Sequence, residues 1–95
     1  MDDKPRILLV DDESAITDNL APFLERSGFT VMVAADGEEA LKQVAASALE
    51  LVIMDVMMPI VDGREALRRL RRSGNWIPVI LLTQVGESGE WAFAG

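Results

Sequence analysis

The apolar positions of this chain fall into four short unbroken runs, separated by stretches of helical periodicity. Ile7-Leu8-Leu9-Val10 stops at Asp11-Asp12-Glu13, the pattern of a strand buried on both faces that ends at a polar edge. Phe29 to Ala34 is a second, β-branched run. Leu51-Val52-Ile53-Met54 is the third and also stops at an acid, Asp55. Val79-Ile80-Leu81-Leu82 is the fourth, entered from Pro78 and followed by Thr83.

Helices are predicted between the runs. Ile16, Leu20, Phe23 and Leu24 share one helical face, Ser14 can cap its start and Gly28 can stop it. Pro22 inside that stretch removes a backbone donor and should bend the helix. Asp36 with Glu39 resembles a capping box ahead of Leu41, Val44 and Ala45. Met57-Met58-Pro59 and Asp62-Gly63 mark a loop. Beyond it Ala66, Leu67 and Leu70 define an amphipathic helix that ends at Ser73-Gly74-Asn75. From Gly86 to Gly95 the reading is the start of a fourth helix, with Trp91 facing the core.

Strands alternating with helices of about ten residues predict an α/β fold, a doubly wound parallel sheet with helices on both faces. At 95 residues the chain is one domain, 1–95, and its 49% apolar content is enough for a core. The net charge of −7 argues against direct contact with nucleic acid. The one dense basic run, Arg64, Arg68, Arg69, Arg71 and Arg72, reads as a solvated helix face. Absent cysteines exclude disulfides and thiol chemistry and fit a reducing compartment. No run approaches the ~18 apolar residues of a membrane span, so a cytoplasmic location is expected.

In a doubly wound sheet, ligands bind beyond the carboxyl ends of the strands, where the strand order reverses. Asp11 and Asp12, Asp55 and Thr83 are all delivered to that edge. In the flavodoxin-like order 2-1-3-4-5 the first and third strands are neighbours, so three carboxylates converge. Any one of these acids could be a turn former or helix cap; their convergence is what points to a site. Clustered carboxylates must raise a pKa or hold a cation, and an all-oxygen set suits Mg²⁺.

These residues resemble the receiver domain of bacterial two-component response regulators. The resemblance rests on Ile7 to Glu13, on Leu51 to Pro59 with Asp62-Gly63, and on Pro78 to Thr83, and it covers the whole chain. It implies a flavodoxin-like fold in which Asp55 is the phosphoacceptor for a sensor histidine kinase or phosphotransfer protein. By the same resemblance Asp12 would bind Mg²⁺ directly and Asp11 largely through water, with Asp55 and the Met57 main-chain carbonyl as further ligands. Thr83 would give its hydroxyl to the phosphoryl group and switch the conformation. The protein would take part in its own phosphoryl transfer without being a turnover enzyme.

The chain also departs from the family. Its only lysines, Lys4 and Lys42, cannot fill the place of the family lysine after the fifth strand. The expected order is therefore 2-1-3-4, with the fifth strand and fifth helix missing and the domain incomplete at its C-terminus. An exposed fourth-strand edge would then favour self-association. Gln84 stands where the family usually has a small residue, and either narrows access to the site or is a solvated loop residue. One rival function is a degenerate receiver acting only in binding or dimerisation. Another is an aspartyl-phosphate hydrolase of the haloacid dehalogenase type, disfavoured because its acid pair is D-x-D after the first strand. Neither glycine-rich nucleotide motif occurs.

Overall fold

A computed structural model of the chain describes residues 4–12, 15–85 and 90–93, with side chains for all of these except 15, 16, 83–85 and 90–93. The elements alternate as the apolar runs require: β1 (Arg6–Val10), α1 (Ala15–Arg26), β2 (Thr30–Ala34), α2 (Gly37–Ala46), β3 (Leu51–Asp55), α3 (Gly63–Arg72), β4 (Val79–Val85) and β5 (Glu90–Phe93). The first four strands are parallel and lie in the order β2-β1-β3-β4. This is the doubly wound sheet that the pattern predicts.

Alternation along the strands sends side chains to two layers. Leu8, Val10, Val52, Met54, Val79 and Leu81 pack with Ala40 and Val44 of α2 and with Ala66 and Leu70 of α3. Ile7, Leu9 and Ile53 pack with Leu24 of α1 on the opposite face. Leu8, Leu9, Val10 and Val52 are wholly buried, as expected for strands covered on both sides.

Local chemistry fixes the helix ends. Asp36 accepts from the Glu39 amide at 2.8 Å and Asp62 accepts from the Glu65 amide at 2.9 Å, so both helices of one layer begin at aspartate caps. The α1 helix closes where Gly28 takes φ 101° and the Phe29 amide returns to the Leu24 carbonyl at 3.1 Å. Pro22 lies within α1 on an exposed position, where its missing donor is cheapest. Ser14, the expected cap of α1, lies outside the described residues.

The C-terminal segment corrects the sequence reading. Where a fourth helix was expected to begin, Glu90–Phe93 forms a strand antiparallel to β4, pairing Leu82 with Phe93 and Val85 with Glu90. A connection of about four residues allows a hairpin and is far too short for the crossover of a dozen or more that a parallel partner needs. The sheet is therefore five-stranded, β2-β1-β3-β4-β5, and β5 pairs with β4 from Leu82 to Val85. Of the edge expected to be open, Val79 to Leu82, β5 covers only Leu82 and leaves Val79 to Leu81 without a strand on that side among the described residues. Residues 86–89, within the expected helix, lie outside the described residues.

The arginine run on α3 is used structurally. Arg69 bonds Glu65 at 3.0 Å and Glu38 of α2 at 2.9 Å, tying the two helices together. Arg68 bonds Glu65 at 2.6 Å. Arg71 donates to the carbonyls of Asn75 and Ile77 and lies 5.4 Å from the centre of the exposed Trp76 ring. Hydrogen bonds from Arg68 and then Arg69 hold the Glu65 carboxyl below its ordinary value of 4.5.

A depressed carboxyl pKa contributes stability that is present above the unfolded value and is lost as pH falls through the folded one. The difference in thermal midpoint between the wild type and Arg69→Ala is therefore expected to narrow as pH drops below 4.5; a constant difference would show that the ionised pair contributes nothing. In the core, Leu81→Ala at a position only 2% exposed should cost about 3 kcal/mol in urea unfolding.

Candidate functional site

The register of the sheet builds the acidic edge. Val10 pairs with Met54 across β1 and β3, so the next residues, Asp11 and Asp55, leave neighbouring strands side by side. The Asp11 amide donates to the Ala34 carbonyl at 3.1 Å and the Val56 amide to the Leu82 carbonyl at 3.0 Å. Both strand ends are thereby held to the strands flanking them. Asp11 and Asp55 are buried at 5% and 4% exposure, whereas Asp12 is exposed.

Asp11, Asp12 and Asp55 each bring a carboxylate oxygen to within 4.8 Å of the others. Like charges at such separations repel by roughly 3 kcal/mol per pair at an effective dielectric of 20, more where water is excluded. Three hard oxygen donors, two of them withdrawn from solvent, match a small divalent cation that would take several of its remaining ligands from water. The residues therefore fit the expected Mg²⁺ by donor type, number and spacing.

The loop from Val56 to Asp62 shapes the pocket wall. The Met57 amide donates to Asp55 Oδ1 at 3.0 Å, fixing the carboxylate against its own chain. At the far end of the loop the Gly63 amide donates to the Val56 carbonyl at 3.0 Å. A Cβ on Gly63 would lie 2.5 Å from the Asp55 carbonyl and 3.0 Å from Val56 Cα, so only glycine lets α3 start this close to the strand end. Between these points Ile60 takes φ 68° and the Val61 amide reaches back to the Pro59 carbonyl at 2.8 Å. That is a γ-turn of the rarer, strained hand, carried by a β-branched residue that disfavours positive φ. Ile60 is 88% exposed and Met57 72%, so the loop presents an apolar tip.

The expected site residues are thus partly assembled. Asp11, Asp12 and Asp55 come together, and Met57 follows Asp55 in the loop. The backbones of Thr83 and Gln84 lie inside β4, opposite Ala92 and Trp91, because the strand runs on past Leu82; their side chains lie outside the described residues. Two contributors escaped the sequence reading. Asp62 is a helix cap as well as a loop marker, which its position two residues before Arg64 and three before Glu65 could have signalled. Ile60 carries backbone strain with no local signal in the sequence.

Comparison with known proteins identifies the class. The chain matches the response regulator receiver domain family over residues 7–93. It is 44% identical over 82 residues to the alkaline phosphatase synthesis transcriptional regulatory protein PhoP of Bacillus subtilis, covering 86% of this chain and 34% of that protein. It is 44% identical over 78 residues to the response regulator MprA of Mycobacterium ulcerans, covering 82% and 34%. The chain thus spans about a third of the length of these curated relatives.

Among solved structures, the Francisella response regulator 1452 receiver domain superposes with a TM-score of 0.82 at 32% identity, covering 90% of this chain and 70% of that one. Response regulator TrrA of Thermotoga maritima, solved in complex with Mg(2+)-BeF, gives 0.79 at 38% identity, covering 86% and 71%. The chain belongs to the response regulator receiver family, the signal-receiving module of bacterial two-component systems.

Ile60→Gly should raise stability by about 1 kcal/mol, because relief of the γ-turn strain exceeds the added chain entropy of glycine. Denaturant unfolding checks this, and a loss of stability would show that the Ile60 backbone carries no strain.

Proposed function

We propose that the chain is a phosphoacceptor receiver in which the Asp55 carboxylate takes a phosphoryl group in a Mg²⁺-dependent step and passes the event on as a conformational change. The observation that carries this reading is the convergence of Asp11, Asp12 and Asp55 within 4.8 Å at the carboxyl edge of the sheet. The likeness to TrrA, solved in complex with Mg(2+)-BeF, supports it from outside the chain.

The 95 residues contain no histidine, so the donor is another protein or a small acyl phosphate; the proposed physiological donor is a phosphohistidine on a sensor histidine kinase or phosphotransfer protein. A carboxylate oxygen of Asp55 forms the new P–O bond while the P–N bond of the phosphohistidine breaks and the imidazole keeps its electron pair. A carboxylate is a weak nucleophile, so positioning must carry much of the barrier reduction. The Met57 amide contributes by holding Oδ1 of Asp55, which orients the carboxylate toward the incoming group. Asp11, Asp12, Asp55 and the Met57 carbonyl would hold Mg²⁺, which when bound offsets the charge on the phosphoryl oxygens.

Thr83 is the proposed reporter, offering its hydroxyl to the new phosphoryl group from the strand next to β3. Gln84 beside it either modulates access or is inert. The chain is phosphorylated once per cycle and is not a turnover enzyme. No helix among the described residues is long and apolar enough to cross a membrane, which supports work in the cytoplasm. With the net charge at −7 and Arg68, Arg69 and Arg71 engaged within the fold, direct nucleic-acid binding is not part of the proposal.

Incubation with acetyl phosphate and Mg²⁺ should give an acid-stable, base-labile mass increase of one phosphoryl group. Asp55→Asn should abolish it, and Asp12→Ala should cut its rate by about two orders of magnitude. An unchanged yield in Asp55→Asn would sink the assignment. No modification of the wild type under any donor would leave the degenerate binding module as the better reading.

A further inference from the structure

We propose that Gly37, in the first turn of α2, is a positioning residue that sets where the phosphoacceptor loop stands relative to the rest of the acidic pocket. The inference rests on the phosphoacceptor reading of Asp55 and extends it to a residue on a different element. Gly37 is buried while the next two residues, Glu38 and Glu39, are exposed. A Cβ at position 37 would lie 2.5 Å from the Val61 carbonyl oxygen and 2.9 and 3.0 Å from Val61 Cγ1 and Cβ. Val61 itself is only 3% exposed. The start of α2 and the middle of the β3–α3 loop therefore touch backbone to backbone, at a distance no other residue type permits.

This contact differs from the hydrogen bonds inside the loop, and it adds a second outside anchor to the one that holds Val56 to the Leu82 carbonyl of β4. The Met57 amide on Asp55 Oδ1 and the Gly63 amide on the Val56 carbonyl join parts of the loop to its own ends and fix its shape. The Gly37 contact joins it to α2, which follows β2, and fixes its placement. Placement matters because the pocket has two origins: Asp11 and Asp12 extend from β1, while Asp55 and Met57 belong to β3 and the loop after it. The γ-turn at Ile60, immediately before Val61, is the strained point that this seat restrains. A methyl group at position 37 would require the Val61 carbonyl to retreat by about 1 Å to reach ordinary contact, and a misplacement of that size is enough to impair a preorganised site.

The test is Gly37→Ala in the full chain. Calorimetric titration is expected to show the Mg²⁺ dissociation constant raised about tenfold. In metal-free protein the amide resonances of residues 57–62 should shift away from those of the wild type. The comparison variant is Val44→Ala, in the same helix and 7% exposed, which should lower the unfolding midpoint and leave both readouts unchanged. A folded Gly37→Ala with wild-type affinity and wild-type loop resonances overturns the inference. So does an equal loss of affinity in Val44→Ala, which would reduce the effect to general loosening.

If Gly37→Ala does not fold, Val61→Ala decides: removing the side chain from the seat should weaken Mg²⁺ binding about threefold, and unchanged affinity overturns the proposal. The two levels fail separately. Wild-type protein that takes up no Mg²⁺, or takes it up equally in Asp55→Asn, defeats the phosphoacceptor reading, whereas normal wild-type binding with an insensitive position 37 defeats only the role of Gly37.

Discussion

The constraint on which the rest of the structure depends is the parallel register of β1 on β3. With Val10 opposite Met54, the chain leaves both strands with an aspartate at the same level, and the two carboxyl groups have no choice but to be neighbours. Bringing like charges together out of water is unfavourable, so the arrangement must be imposed by something stiffer. The imposing element is the apolar interior of the two strands, where Leu8, Val10, Val52 and Met54 turn to one helical layer and Ile7, Leu9 and Ile53 to the other. A slip of one residue would send each of these side chains to the wrong face. The core thus holds the three carboxyl groups together at the edge of the sheet.

Much of this was legible in the sequence because the responsible signals are local. Four apolar runs ending at polar residues give four parallel strands, and the acids that stop the first and third runs are those that meet at the edge. The Asp36 cap was visible in its spacing to Glu39. What was missed depends on contacts between distant segments. The close seat of Gly37 on Val61 cannot be read from either neighbourhood alone, and the positive φ of Ile60 contradicts the preference of its own residue type. The β5 strand was a misjudged period: Trp91 and Phe93 are two apart, which is strand spacing, and the sequence before them carries the turn-forming residues Gly86 and Gly89.

The loop after β3 shows how a segment without regular structure is made definite. Its two ends are pinned together by the Gly63 amide on the Val56 carbonyl, and the Met57 amide is spent on Asp55. Asp62 closes it by capping α3. Each of these bonds satisfies a backbone donor that no helix or strand ladder would otherwise use. The arginines of α3 have a comparable role one layer out, since Glu38 and Arg69 lock the helix that seats the loop to the helix that ends it.

The two faces of the sheet are unequally clad among the described residues. Among the described residues, the buried cluster under α2 and α3 has Val44, Leu70, Met54 and ten others besides Leu81, whereas the one under α1 consists of Ile7, Leu9, Leu24 and Ile53. Native proteins open in pieces, and the piece with the smaller apolar anchorage opens at the lower free energy. Excursions from the native state should therefore begin by lifting α1 from β1 and β2, while the layer bearing the loop and its glycine seat stays closed. Amide exchange in this domain would be graded by layer, fast along α1 and slow across β1 and β3.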